Sequence, residues 1–183
     1  GFNINLMDGR LKNTFAVQAF DIERRIFFSD TPDSSYNGVF EGQRVKAEYQ
    51  GEFEITDRDS LLFGADHERQ NSKYSDDLGS LPTNNSFSQT GLWAMAAIEP
   101  LDNLHLTFGA RHDVHGVYGG HTTWRATGAY FIPGAGTRLH ASAGSGFRAP
   151  SLFELFDPFS GNHNLKPETS IGFDLGVEQR FLD

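Results

Sequence analysis

Cysteine is absent from the 183 residues, which removes disulfide scaffolds, thiolate metal sites and thiol nucleophiles together. Long apolar runs are missing too. No stretch approaches the roughly 18 uncharged residues that a membrane helix requires, and the mean hydropathy is −0.44. Positive charge is scarce: 15 Lys and Arg stand against 24 Asp and Glu, for a formal charge of −9. That balance argues against nucleic acid as a partner and against a basic membrane-surface patch. The N-terminus has neither a basic leader region nor an apolar one, and it opens inside a strand-like stretch, so the expectation is a truncated piece of a longer chain. No Ser-His-Asp arrangement, no paired acids in a recognisable context and no phosphate loop occur, so the chain is not expected to be an enzyme.

What is present is alternation. In residues 43–56, Val45, Ala47, Tyr49, Gly51, Phe53 and Ile55 share one face, and Arg44, Lys46, Glu48, Gln50, Glu52 and Glu54 share the other. A period of two means a strand that is apolar on one side and wet on the other. Similar stretches are read at 1–6, 12–28, 60–69, 87–99, 104–114, 122–132, 137–147 and 170–181. Short turns are expected at 8–10, 57–59, 100–103 and 133–136, and mostly longer polar loops at 29–40, 71–86, 115–121 and 148–169. Short and long connections in strict succession, between strands of about ten or more residues, describe an antiparallel up-and-down transmembrane β-barrel. A polar mean hydropathy does not oppose this, because barrel strands alternate. About eight to nine strands are expected here, a fragment of a larger barrel. Two other all-β readings compete: a small passive porin-like barrel, and a soluble binding module that would need a second sheet or closure to bury its apolar face.

One ordered pair of blocks narrows the choice. Phe147-Arg148-Ala149-Pro150 is followed by Gly161-Asn162-His163-Asn164-Leu165-Lys166-Pro167-Glu168-Thr169-Ser170. Together they resemble the paired signature late in the barrel of TonB-dependent outer-membrane receptors, with His163 where that family usually has proline. The likeness extends more loosely over residues 91–113 and 170–181. The resemblance implies that residues 1–183 are part of the receptor barrel domain, with the plug and remaining strands outside it. It implies a location in the bacterial outer membrane, contact with its lipid, and energy-coupled import of a scarce nutrient. The TonB complex would act through the missing plug. The form of the loop looks closest to cobalamin receptors, with ferric siderophore receptors next and haem receptors third.

Candidate ligand contacts follow from the same loop. Phe153, Phe156 and Phe159 are expected either to stack on a planar ligand or to pack the loop down. Haem receptors of the family carry an axial histidine between the two blocks, whereas His163 lies within the second. The remaining candidates are weaker. Gly144-Ser145-Gly146-Phe147-Arg148-Ala149 matches a dinucleotide fingerprint but lacks room for the long helix that such a site needs. His112, His115 and His121 are spaced so that a folded loop would bring them together. Asp30, Asp33, Asp76 and Asp77 lie in expected outer loops, without the spacing of a calcium site. No resident cofactor or metal is expected.

Overall fold

The alternating stretches become one antiparallel sheet. The computed structural model describes residues 1–31, 34–79 and 82–181. Nine strands lie in strict sequence order, each hydrogen-bonded only to its neighbours along the chain. They are β1 (Phe2–Leu6), β2 (Leu11–Thr31), β3 (Ser34–Glu54), β4 (Ser60–Asp76), β5 (Thr83–Leu101), β6 (Leu104–His115), β7 (Gly119–Ile132), β8 (Thr137–Arg148) and β9 (Glu168–Gln179). The one α-helix among the described residues is α1 (Leu152–Phe156), between β8 and β9. The first turn is a single 3-10 turn at Met7–Gly9 with three consecutive positive φ angles, of 55°, 56° and 92°.

Register lines up apolar residues of neighbouring strands on one face of the sheet. Phe15 opposes Tyr49, Tyr49 opposes Ala65 and Ala65 opposes Leu92. On the later strands Leu106 opposes Gly128, Gly128 opposes Ala141 and Ala141 opposes Leu175. The sheet is one layer thick, and no second layer covers this face among the described residues. Ile171, Phe173 and Leu175 are 80%, 83% and 81% exposed, while among the described residues the buried hydrophobic core amounts to Tyr74, Leu152 and Leu155. A soluble module would bury that row under a second layer; a barrel leaves it to the surrounding lipid.

The opposite face is charged and internally paired. Arg111 on β6 donates to Asp66 on β4 at 2.7 and 3.0 Å and to Asp113 at 2.7 Å. Gly91 makes this possible. It lies in register between Asp66 and Asp113, and a Cβ there would collide with the Arg111 guanidinium. Gln89 adds a bond to Asp113 at 2.9 Å and Lys46 approaches Asp66 at 3.9 Å. The result is a charge clasp across four strands, β3 to β6.

The structure corrects the expected long loops of the first half. The polar composition of residues 29–40 and 71–86 predicts loops, but β2 and β3 stay paired out to Ser29↔Ser35, and β4 stays paired with β5 out to Tyr74↔Thr83. Strands of 21, 21, 17 and 19 residues result, far longer than the roughly ten needed to cross lipid. The reason is that backbone pairing does not require apolar side chains. Polar pairs such as Asn71↔Ser86 and Lys73↔Asn84 continue the same ladder. The expected loop at 115–121 likewise shrinks to the turn between His115 and Gly119.

Candidate functional site

The β8–β9 connection holds the signature blocks, and it folds back over the charged face. Its geometry starts at the base. β7 and β8 pair from Ile132↔Thr137 to Arg125↔Gly144 and then part. Beyond that point the Trp124 amide donates to Ser145 Oγ at 3.1 Å, and the His121 ring stacks on Phe147 with centroids 3.9 Å apart. Phe147 and Arg148 end β8, and Pro150, buried, stops further pairing.

Ser151 then caps α1. Its hydroxyl accepts from the Glu154 amide at 3.2 Å, and the Glu154 carboxylate accepts from the Ser151 amide at 2.8 Å, a reciprocal capping box. Arg148 donates to Glu154 at 2.5 Å and lies 3.4 Å from Glu168, the first residue of β9. One guanidinium thus ties the helix to both ends of the loop. The backbone amide and the guanidinium hold the Glu154 carboxyl down at about 2. Because the folded value lies below the ordinary glutamate value of about 4.3, this contribution is complete above that value and fades as pH falls through about 2. Hydrogen exchange across α1 is therefore expected to stay slow at pH 4 and to quicken towards pH 2. In Glu154→Gln it should show no such transition, and a transition centred near pH 4.3 in the native sequence would contradict the arrangement.

The second block is held by backbone geometry. The Gly161 amide donates to the Asp157 carbonyl at 2.8 Å and the Asn162 amide to the Glu154 carbonyl at 2.9 Å. A Cβ at Gly161 would lie 2.5 Å from the Asp157 carbonyl oxygen, so glycine is required by crowding. Asn162 Oδ1 accepts from the Asn164 amide at 3.0 Å, and the Leu165 carbonyl accepts from Tyr118 Oη at 3.2 Å. Lys166 and Pro167 lead into β9, where Ser170 opposes Gly146. Ala149 connects β8 to the cap.

Leu152 and Leu155 are buried, and α1 packs against β4 and β5. Phe159 reaches further, meeting Tyr36 of β3 and Tyr74 of β4 edge to face at 5.9 and 6.3 Å. The two tyrosine hydroxyls lie 3.0 Å apart, and Tyr74 donates to Asp76 at 2.6 Å. Phe28 stacks on Tyr36 at 6.2 Å. An aromatic shelf is thus assembled from separate segments of the chain, with Phe159 still 70% exposed above it. Phe153 is exposed on α1, and Phe156 meets the exposed His163 edge to face at 4.8 Å. Phe156 thus packs within the loop, while the rings of Phe153 and Phe159 stay largely exposed.

Sequence reasoning misses Tyr36, Tyr74 and Tyr118. The first two fall in stretches whose composition predicts loops; the signal was their place on the inward row, Tyr36 with Phe40 and Tyr74 with Gln70. The other histidines diverge. His112 bonds Thr122 at 2.8 Å, His121 bonds the Tyr118 carbonyl at 3.0 Å, and His115 Nδ1 accepts from the Val117 amide at 3.1 Å. His112 and His115 lie on opposite faces of one strand. Asp77 accepts from the Asn37 amide at 2.9 Å and Asp76 from the Leu78 amide at 3.0 Å; Asp33 and the Asp30 side chain lie outside what is described. Among the described residues no group of three or more His, Cys, Asp or Glu is positioned for a metal. The dinucleotide-like run lies within β8 and its antiparallel pairing.

Comparison with known proteins agrees with this geometry. The family model for the TonB dependent receptor-like β-barrel matches residues 1–183. The vitamin B12 transporter BtuB of Photobacterium profundum is 28% identical over 171 residues, covering 91% of this chain and 27% of that protein. The chain therefore spans only about a quarter of that relative's length. Among solved structures, the copper transporter OprC superposes with a TM-score of 0.79 at 14% identity, covering 98% of this chain and 35% of that one. The siderophore receptor PirA from Pseudomonas aeruginosa gives 0.65 at 16% identity, covering 93% and 37%. At these identities the structural likeness is one of fold.

Proposed function

Since this chain belongs to the TonB-dependent receptor β-barrel family, a family of transporters and receptors and not of enzymes, we propose that it forms part of the wall of an outer-membrane importer. Residues 1–183 would be a portion of the barrel domain, with further strands and a plug elsewhere in the longer protein and with TonB supplying the energy. The proposed cargo is cobalamin, with a ferric siderophore second and haem third. The vitamin B12 transporter similar to nearly the whole of this chain favours that order.

The observation that carries the reading is the folded-in β8–β9 loop. It sets the open Phe159 ring on the Tyr36–Tyr74 shelf at one end of the charged face, the end that would face outward in an importer. A planar conjugated ligand gains from such a surface because offset and edge-on ring contacts add to area burial. His163 meets Phe156 and none of the shelf rings among the described ring contacts, which makes haem ligation the third choice.

The test uses the full-length parent protein in outer-membrane vesicles, with cobalamin, a ferric siderophore and haem each titrated separately. One cargo class is expected to bind tightly, and Phe159→Ala should weaken it by about tenfold, the equivalent of about 1.4 kcal/mol. His163→Ala should leave cobalamin binding unchanged and would abolish haem binding if haem were the cargo. Passive leakage of small solutes with no binding of any cargo would overturn the importer reading.

A further inference from the structure

The apolar face carries a polar hollow at one height that cargo transport does not use. On β4 the outward row runs Leu61, Phe63, Ala65 and then changes to His67 and Arg69. On β5 it runs Ala96, Ala94, Leu92 and then changes to Thr90, Ser88 and Ser86. His67, Arg69, Ser86, Ser88, Gly116 and Val117 line most of a hollow of about 350 Å³ just past this change. We propose that this hollow binds the phosphate of a lipid headgroup, with Arg69 as its principal donor. The proposal rests on the reading that the apolar face lies in a bilayer.

Arg69 is the unusual member. It is exposed, it opposes Val45 on β3 and Ser88 on β5, and no carboxylate stands beside it in the register. Among the described residues its guanidinium has no hydrogen bond or ion pair. Two other cations of the same face are already engaged: Arg25 with Glu23, and Lys73 with Glu41 at 3.8 Å. His67 uses Nδ1 on the Thr90 hydroxyl at 2.8 Å, which leaves Nε2 facing away from that bond. A guanidinium fork, two serine hydroxyls and an imidazole nitrogen form a donor set suited to the oxygens of a phosphate.

Height decides the source of that phosphate. Arg69 lies four residues beyond Ala65, about 13 Å along the strand and about 10 Å in height once strand tilt is allowed for. On the bilayer reading, the change from Leu61, Phe63 and Ala65 to His67 and Arg69 would mark where the headgroup layer begins. A chain of net charge −9 thus presents a local cation where anionic headgroups lie. Net charge alone had argued against such a patch, because it averages over both faces.

The experiment places the full-length parent protein in phosphatidylcholine nanodiscs and counts retained lipids by native mass spectrometry. Phosphatidic acid and phosphatidylcholine of the same acyl chains are offered in turn. Phosphatidic acid is expected to be retained preferentially, about tenfold less by Arg69→Gln, the loss expected for one charge-assisted contact, and undiminished by Arg25→Gln. Equal retention of the two lipids, or an unchanged preference in Arg69→Gln, would overturn the proposal. Inorganic phosphate that displaced the lipid at equal concentration would overturn the lipid as the source. Failure of the protein to enter nanodiscs at all would instead sink the transmembrane reading beneath it.

Discussion

Replacing Arg111 with alanine is expected to destabilise the full-length barrel by about 3–5 kcal/mol, the cost of leaving buried charges without their partner. The expectation comes from the imbalance that the change creates. Asp66 and Asp113 have side chains only 9% exposed, and Arg111 satisfies both. Lys46 stands 3.9 Å from Asp66, too far to replace a two-pronged hydrogen bond. Arg111→Lys should recover less than half the loss, since one ammonium cannot reach both carboxylates in a planar fork. Adding Asp66→Asn and Asp113→Asn to Arg111→Ala should recover part of it by removing the unpaired charge. The urea midpoint of the full-length protein in lipid, at unchanged slope, reports these differences. An Arg111→Ala midpoint equal to that of the native sequence would show the clasp to be solvated and energetically idle.

Leu155→Ala is expected to release the β8–β9 loop from the wall while leaving the wall itself paired. Leu155 is 4% exposed and lies on the helix that packs against β4 and β5. Truncating a buried leucine costs about 2–5 kcal/mol, and little else ties this loop to the far side of the sheet. Among the described residues its other long-range links are buried Leu152, the Phe159 ring contacts and the Tyr118–Leu165 bond. Spin labels at Ser160 and Asn37 should report a short, narrow distance in the native protein and a long, broad one in Leu155→Ala. Protease cleavage within residues 157–165 should accelerate as well. Unchanged distances would mean that the capping box and Arg148 alone hold the loop.

The parts legible in the sequence were those governed by a local repeat. Residues 43–56 alternate so regularly that strand and facing both follow from them, and the apolar row on β9 announces itself in Ile171, Phe173, Leu175 and Val177. The signature loop was legible as a unit because its two blocks, marked by Pro150, Gly161 and Pro167, each act within a few residues. The extent of β2 to β5 was not legible. Polar composition at 71–86 is equally compatible with a loop and with a ladder outside the hydrocarbon, and only the partner strand decides. The Arg111 clasp was hidden for the same reason, since Asp66 lies 45 residues away and Gly91 signals nothing by itself. Arg69 was hidden by averaging, because one unpaired cation disappears in a net acidic chain.

The strict sequence order of the strands has a kinetic consequence. Each strand pairs with the one before it, so pairing advances hairpin by hairpin and each step closes only a short loop, which keeps the entropic barrier to each addition low. The contact of Phe159 with Tyr36 breaks that rule, joining residues more than a hundred positions apart. It forms only after β3 to β8 have all been laid down in register and have curved enough to bring the two together. A wall with one hairpin slipped or missing would present the loop to the wrong strand. The folded-in loop is therefore expected to be shielded from proteases only in chains whose intervening hairpins are all in place.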